Sequence, residues 1–321
     1  MTPKASIIIP NWNGKHHLDV CLNALRNQSF KDFEVILVDN GSADGSQAYI
    51  KEKFPEVKLI ENGENLGFTG ACIKGYEAAA GEFIVLLNND TEATPEWLEN
   101  LLTGFDKHPD VGSTIGKILL FDERDKIHTA GDFVRTDGSP GNRGVWQFDK
   151  GQYDQEEFIM SGCGAAVAYR RSALEEVGFL DDSFYFSCED VDLGWRLNLA
   201  GWRVLYLPKA VIYHKVKASS SALASFYDKR NQLYLIWKNY PAALLRKNWR
   251  IVIKQQWRLT REALIHWRGE AARASLRGQF AGLFGYFKMR PARSKIMSNK
   301  RLPDESLMKL FTPVDEAVGD G

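Results

Sequence analysis

The sequence is poor in cysteine, and the cysteines it has are badly placed for cross-linking. Cys21, Cys72, Cys163 and Cys188 stand far apart among 321 residues, with no Cys-x-x-Cys pair and no His/Cys cluster. A disulfide scaffold and a structural zinc site are therefore not expected, whereas a reducing compartment is. No apolar run approaches the length of a membrane-crossing helix. The chain enters a strand-like run at Ala5 to Ile9 with no signal-peptide pattern ahead of it, which points to the cytoplasm. Two familiar phosphate-binding loops are missing as well. There is no Walker motif, and the first strand runs into Pro10-Asn11-Trp12-Asn13-Gly14 instead of Gly-x-Gly-x-x-Gly, which argues against a dinucleotide-binding Rossmann site.

Net charge is absent overall but not locally. The 41 Lys and Arg balance 41 Asp and Glu, yet Arg246 to Arg301 carries fifteen basic residues against two acids, Glu262 and Glu270. The body is acidic and the tail basic, so a polyanionic partner for the tail is expected. With 44% hydrophobic and 26% charged residues the composition is that of a globular protein. Its length suits one large domain with an appendage, or two domains.

What is present begins with Phe83-Ile84-Val85-Leu86-Leu87, an apolar run that reads as a strand buried on both faces and ends abruptly in Asn88-Asn89-Asp90. Similar units precede it. Ser6 to Pro10, Phe33 to Val38 and Val57 to Ile60 read as strands, separated by helices near Leu18 to Gln28, Gly45 to Phe54 and Thr69 to Ala80. The order β-α-β-α-β-α-β predicts a parallel, helix-covered sheet with its polar loops along one edge. Ligands of such sheets sit outside the carboxyl ends of the strands. There Asn11, Asn13, Asp39, Asn40, Ser42, Asn65, Gly67, Asn89 and Asp90 offer small side chains and hydrogen-bonding groups that suit a ribose, a base edge and a diphosphate. Any one of these loops is what a βα turn ordinarily contains. Four in succession favour a nucleotide site.

Pro10-Asn11-Trp12-Asn13, Val38-Asp39-Asn40-Gly41-Ser42-Ala43-Asp44-Gly45-Ser46, Asn65-Leu66-Gly67-Phe68 and Leu86-Leu87-Asn88-Asn89-Asp90-Thr91 resemble, in order, the motifs of the family 2 glycosyltransferases, and among these the bacterial rhamnosyltransferase-like branch. The resemblance covers about residues 5 to 240. It implies an α/β GT-A fold, a mostly parallel Rossmann-like sheet with helices on both faces, followed by a C-terminal helical segment. It also implies a nucleotide-sugar donor and a divalent metal, Mn²⁺ or Mg²⁺. By this likeness Asp39 reads the pyrimidine base, Asn65 and Gly67 lie beside the nucleotide, and Asp90 is the metal ligand of a degenerate D-x-D. Two positions depart from the pattern. Asn88 replaces the first acid of the D-x-D, and Ile73 replaces a frequent Asn, leaving Lys74 as the nearest polar group. The expected donor set is then Pro10, Asn11, Asn13, Asp39, Asn40, Ser42, Asn65, Gly67, Lys74, Asn88, Asn89 and Asp90.

From Asp110 to about Asp154 the chain reads as an irregular, glycine-rich meander over the site, with strand-like pieces such as Ile115 to Phe121 and a mobile loop around Asp137 to Gly144. Ser161 to Ala166 has small side chains that suit either close ligand approach or a tight strand crossing. In Glu189-Asp190-Val191-Asp192-Leu193-Gly194-Trp195-Arg196 a helix would place Glu189 and Asp192 on the face of Arg196 and point Asp190 elsewhere. Likeness to the family's E-D-x-D-L-x-x-R motif makes Asp190 the general base, with Glu189 as the fallback. Val204 to Pro208 and Ala210 to His214 read as two paired strands, and by the same likeness His214 joins Asp90 at the metal. Tyr227, Arg230 and Asn231 match a family Tyr-x-x-Arg-Asn pattern in which Arg230 would clamp phosphate.

Residues 222 to 290 read as largely helical, with Trp and Phe interleaved among Arg and Lys. An anionic bilayer surface suits that pattern; a helical hairpin or a homo-oligomer interface is the alternative, and nothing upstream supports nucleic-acid binding. The expected division is a GT-A catalytic domain over 1–220, made of a nucleotide-sugar-binding half (1–105) and an acceptor-binding half (106–220), then a basic helical region with a flexible tail over 221–321. The expected activity is inverting, metal-dependent glycosyl transfer from a nucleotide-sugar, dTDP-rhamnose or a UDP-sugar, to a saccharide or lipid-linked saccharide of a surface polysaccharide. The expected place is the inner face of the cell membrane. A catalytically silent sugar-nucleotide-binding or scaffold protein and a nucleotidyltransferase are the alternatives.

Overall fold

The computed structural model describes residues 2–216 and 221–314. In chain order the first part is β1 (Ala5–Asn11), α1 (Lys15–Arg26), β2 (Phe33–Asp39), α2 (Ser46–Lys53), β3 (Lys58–Glu61), α3 (Gly67–Ala78), β4 (Phe83–Leu87), β5 (Thr91–Ala93) and α4 (Trp97–Lys107). The middle comprises β6 (Val111–Leu120), β7 (Ile127–Thr129), β8 (Asp132–Arg135), β9 (Pro140–Asn142), β10 (Glu157–Ile159), β11 (Ala166–Arg170), α5 (Arg171–Val177), a 3₁₀ turn (Asp182–Phe184), α6 (Glu189–Leu199) and β12 (Arg203–His214). Then come α7 (Ala222–Asn239), α8 (Ala242–Ile265), α9 (Glu270–Ser298), α10 (Asp304–Leu310) and β13 (Phe311–Thr312).

The main sheet runs β10-β12-β6-β11-β4-β1-β2-β3, with β5 on β12 and β7 on β6. The half β3-β2-β1-β4 is parallel, as the βα repeats require. β11 then enters antiparallel between β4 and β6, so it stitches the two halves together. Every residue of β4 is buried, as a strand covered on both faces must be. The fold is GT-A: a mixed α/β sheet with a parallel heart and a helical C-terminal region.

Two regions differ from the sequence expectation. The stretch expected as an irregular meander contains β6, a ten-residue strand buried along its whole length and central to the sheet. Its glycines serve packing. A Cβ on Gly116 would lie 1.7 Å from the Ala210 carbonyl oxygen, and one on Gly112 would press on Trp202. The two strands expected at Val204 to His214 are one, β12, which runs parallel to β6 and bulges between Leu207 and Val211. Pro208 sits in that bulge, where its missing N–H does no harm, and Gly116 is the space the bulge occupies. The expected loop at Asp137 to Gly144 is the turn and second strand of the β8–β9 hairpin, which forms a three-stranded sheet with β13.

The sheet core is joined by a second apolar cluster. Trp195 of α6, Phe184, Tyr234 of α7, Tyr240 just after it, Met289 of α9, Leu307 of α10 and Phe311 of β13 pack together. The expected domain boundary at 220 adjoins residues 217–220, which lie outside the described residues, as does the end of the tail from 315.

Candidate active site

β1 and β2 end in register, Asn11 opposite Asp39, so the loops that follow them meet. Asn11 Nδ2 donates to Asp39 Oδ2 at 2.9 Å and to Ser42 Oγ at 3.3 Å, while its Oδ1 accepts from Asn89 Nδ2 at 2.7 Å. Asp39 Oδ1 accepts from the Ser42 N–H at 2.9 Å and from Gln47 Nε2 at 2.7 Å. Asn13 takes a left-handed φ of 51° and offers its Oδ1 to the Ala43 N–H at 2.8 Å. Gly14 leaves room for Asn89, whose Nδ2 would lie 2.1 Å from any Cβ there. Farther along the edge, Asn40 Nδ2 donates to the Gly67 carbonyl at 2.9 Å, and its Oδ1 accepts from Asn62 at 2.8 Å. Asn65 Oδ1 accepts from the Gly67 N–H at 2.9 Å. One web of amides, buried at Asn11 and Asn40 and exposed at Asn13 and Asn65, thus joins the loops after β1, β2, β3 and β4 and holds their remaining polar groups in fixed positions. Pro10 closes the buried run of β1 beside it.

β4 delivers Asn88 and Asp90 to the same edge. Asp90 Oδ1 lies 3.1 Å from His214 Nε2, and Asn88 Nδ2 lies 3.3 Å from the same nitrogen. β12 reaches Asp90 because it pairs with β5 just beyond: His214 faces Thr91, and the Lys215 N–H donates to the Asp90 carbonyl at 2.9 Å. Burial works to raise the Asp90 pKa, but the hydrogen bond and charge of His214, with the charge of His17, outweigh it and hold the carboxyl below its usual value. A carboxylate kept ionised beside an imidazole is a donor pair that Mn²⁺ or Mg²⁺ accepts, and the two atoms are close enough to serve one ion. The other ring nitrogen of His214 lies 3.2 Å from His128 Nδ1, an outer partner of the kind that orients metal-binding histidines. Burial, with the charge of His214, pushes His128 down to about 3, so its ring is neutral.

The acids at the start of α6 diverge into three environments. Asp192 is fully buried and accepts from Arg196 Nε, Lys238 Nζ and Asn239 Nδ2, each at 2.8 Å. Burial opposes its ionisation, but the Lys238 and Arg196 charges win and lower its pKa. Glu189 is buried with Oε2 unpartnered, and burial, followed by the charges of Asp190 and Asp192, raises it to about 8. Of the expected partners on one helix face, only Asp192 meets Arg196. Asp190 Oδ2 accepts from the Gly164 N–H and Oδ1 from the Val191 N–H, both at 2.7 Å. Burial raises its pKa, and those two donors favour the ionised form.

A cavity of about 400 Å³ lies between His214 and the start of α6, with Asn88, His128, Asp132, Gly164, Asp190 and His214 in its wall. One oxygen each of Asp132 and Asp190 and the Cys163 sulfur lie within 4.8 Å of one another. Asp132 is buried against Asn142 and Thr129. Burial, then the nearness of Asp190, raises its pKa well above the usual carboxylate value.

The sequence matches the model of glycosyl transferase family 2 over residues 6–178, more than half of the chain. The chain belongs to glycosyl transferase family 2. It is 32% identical over 232 residues to the O-antigen biosynthesis protein RfbC of Myxococcus xanthus, a match that covers 69% of this chain but only 18% of that protein. To the N-acetylglucosaminyl-diphospho-decaprenol L-rhamnosyltransferase of Mycobacterium tuberculosis it is 27% identical over 252 residues, 70% of this chain and 80% of the other. The mannosyltransferase PcManGT of Pyrobaculum calidifontis, solved with GDP-Man and Mn²⁺, has the same fold at a TM-score of 0.56 and 16% identity, over 93% of this chain and 86% of that one.

Of the residues singled out in this glycosyltransferase's sequence, Asn88, Glu189, Asp190 and His214 line the cavity; Asp90 and the web of the nucleotide loops lie beside it, and Lys74 and Arg230 belong to neither. Lys74 lies on the exposed side of α3, paired with Glu77 at 2.9 Å. Arg230 turns inward: its Nη2 donates to the carbonyls of Ser183 at 2.6 Å and Phe184 at 3.0 Å, and its Nε donates to Asn231 Oδ1. Asn231 Nδ2 in turn meets the carbonyls of Phe184, Phe186 and Ser187 at 3.0, 2.8 and 2.7 Å. Together they hold the loop before α6, where Tyr185, Ser187 and Cys188 all have positive φ. Tyr185 stacks on Tyr227 and accepts the Thr69 N–H, so the loop also touches the start of α3 beside Gly67. The family's pattern therefore supplies a loop brace in this enzyme. His128, Asp132, Asp228 and Gln232 line the cavity without having stood out in the sequence. His128 and Asp132 are brought in by the pairing of β7 and β8, and Asp228 and Gln232 by one face of α7.

Proposed function

We propose that the enzyme is an inverting, divalent-metal-dependent transferase that moves a sugar from a nucleoside-diphosphate donor, dTDP-rhamnose or a UDP-sugar, to a saccharide or lipid-linked saccharide. The product belongs to a surface polysaccharide, and the work is done at the inner face of the membrane. The names of the two relatives support the sugar and the acceptor class, and the Mn²⁺ of the mannosyltransferase supports the metal. The observation that carries the reading is one cavity shared by His214 of the metal pair and by Asp190.

In this reading Asp90 and His214 hold the ion, and the web around Asn11, Asp39, Asn40, Asn65 and Gly67 seats the nucleoside. A bound divalent ion supplies stabilisation of the charge that grows on the departing diphosphate. Asp190 accepts the proton of the acceptor hydroxyl while that oxygen bonds to the anomeric carbon and the bond from this carbon to the diphosphate oxygen breaks. A single displacement needs one carboxylate, and inversion follows. The raised pKa makes Asp190 a stronger base, and Glu189, raised to about 8, places no competing charge beside it at neutral pH. Asp190→Asn is expected to lower turnover by roughly 10²- to 10⁴-fold and leave nucleotide affinity, measured calorimetrically, nearly unchanged. Retained turnover would move the base elsewhere. A donor panel tested with Mn²⁺ that shows nucleotide binding but neither transfer nor hydrolysis would favour a silent binding protein.

A further inference from the structure

A second cavity, of about 360 Å³, opens between α7, α8 and α9, lined by Trp237, Leu245, Arg246, Trp249, Tyr286 and Arg293. It is separate from the catalytic cavity. Asp228 lines that one and Trp237 this one, and nine residues of helix place them about 14 Å apart along α7 and on nearly opposite sides of it. The walls are braced. Trp237 Nε1 donates to the Gly282 carbonyl at 3.0 Å, Arg293 Nη1 donates to the Trp237 carbonyl at 3.2 Å, and the Trp237 ring meets Tyr286 edge-on. α9 comes this close to α7 because Gly278, Gly282 and Gly285 face it, where any Cβ would strike Phe226, Leu233 or Tyr234.

The chemistry of the cavity is lopsided. Three aromatic rings surround two guanidinium groups, and among the described residues only Lys300 and Arg301 of the basic run from Arg246 to Arg301 pair with a carboxylate. Arg293 is half-buried, and a cation in that position calls for an anion. Trp249 at the cavity, Trp257 two turns farther along the same face of α8, and Phe284 and Phe287 on another face of α9 are each at least 50% exposed. They lie on the helical spacings 249/253/257 and 280/284/287, each a stripe down one helix. No helix among the described residues is long and apolar enough to cross a membrane; exposed aromatics beside basic side chains are the pattern of a face that suits a bilayer surface.

We propose that the cavity binds the phosphate headgroup of an anionic phospholipid, with Arg246 and Arg293 on the phosphate, the rings of Trp237, Trp249 and Tyr286 around the glycerol, and the exposed α8 stripe of Trp249, Ile253 and Trp257 among the first acyl carbons. This deepens, and rests on, the membrane-face placement proposed above. A second copy of the chain is a poor occupant, since a two-fold contact would set this basic face against itself. A nucleic acid would leave the apolar stripes in water.

The test uses the full chain and vesicles of phosphatidylcholine alone or mixed with phosphatidylglycerol. Binding is expected only with phosphatidylglycerol, with a blue shift of tryptophan emission. R246Q should weaken it roughly fivefold, and W249A should weaken it and reduce the shift. Donor turnover on a soluble acceptor should stay at the wild-type level in both. Monomeric short-chain phosphatidylglycerol should reproduce the shift, and inorganic phosphate should not displace it. Equal binding by both variants would overturn the site. A shift produced by inorganic phosphate alone would make it a free-anion site, and a shift that tracks protein concentration and dimer formation would make it a self-interface; either overturns the lipid assignment. Absent donor turnover with lipid binding intact would instead remove the proposed reaction and leave the lipid site standing.

Discussion

His128 lies behind the metal pair, one ring removed from Asp90. Its Nδ1 is 3.2 Å from His214 Nδ1, and with burial keeping it neutral one of the two rings donates and the other accepts. That contact fixes which nitrogen of His214 faces Asp90. Removing such an outer partner typically costs 10- to 100-fold in metal affinity. His128→Ala is accordingly expected to weaken Mn²⁺ binding by about that factor in an electron-paramagnetic-resonance titration, with the circular dichroism spectrum unchanged; wild-type affinity would make His128 mere filling. At this scale much of the candidate site was legible in the sequence. Asn11, Asp39, Asn65, Asn88, Asp90, His214 and Asp190 all sit in motifs with fixed spacing. His128 and Asp132 do not, because they come from short strands in a glycine-rich stretch, and no local pattern reveals which cavity a three-residue strand will face.

The loop from Ser183 to Cys188 places the first turn of α6, and α7 holds the loop. Left-handed backbone at Tyr185, Ser187 and Cys188 costs on the order of 1–3 kcal/mol at each, so the conformation persists only while Asn231 and Arg230 satisfy its carbonyls. Asn231→Ala leaves three carbonyls without that donor, and a loss of roughly 1–3 kcal/mol is expected. The loop sets the first turn of α6, which carries Asp190, so kcat should fall while the donor KM changes little. A simple loss of stability would not split the constants in this way, and an unchanged kcat in the fraction that remains folded would show that the loop keeps its shape alone. The elements themselves were legible wherever periodicity was clean, as in β1 to β4 and α1 to α3. They were obscured where glycine and proline served packing. Gly112 and Gly116 made β6 look like loop, and Pro208 made one bulged strand look like two.

Across the whole molecule, the C-terminal helices are tied to the catalytic sheet by a buried ion network. Lys238 of α7 meets Asp181 at 2.7 Å and Asp192 at 2.8 Å, and Arg196 and Asn239 complete the shell around Asp192. Burial works against both carboxylates, but the Lys238 charge prevails, bringing Asp181 to about 2 and lowering Asp192. A carboxyl whose pKa is depressed in the folded state contributes stability above its unfolded value, and loses it as pH falls through the folded one. The midpoint of urea unfolding should thus be steady near neutrality and drop from about pH 4 downward. Lys238→Met should destabilise the protein by roughly 3–5 kcal/mol at pH 7 and flatten that acid slope; an unaltered slope would place the acid sensitivity elsewhere.

β11 has a consequence for how the chain can be divided. It returns from far along the sequence to lie between β4 and β6, with Ala166 opposite Leu87 and Arg170 opposite Phe83. A fragment that stopped after the fourth βα unit would keep β4 but lose its neighbour, exposing a row of unpaired N–H and C=O groups on the most apolar strand of the sheet. Such a bare edge is a template for other chains. The nucleotide half is therefore not a free-standing module: without the returning strand it would be a seed for aggregation.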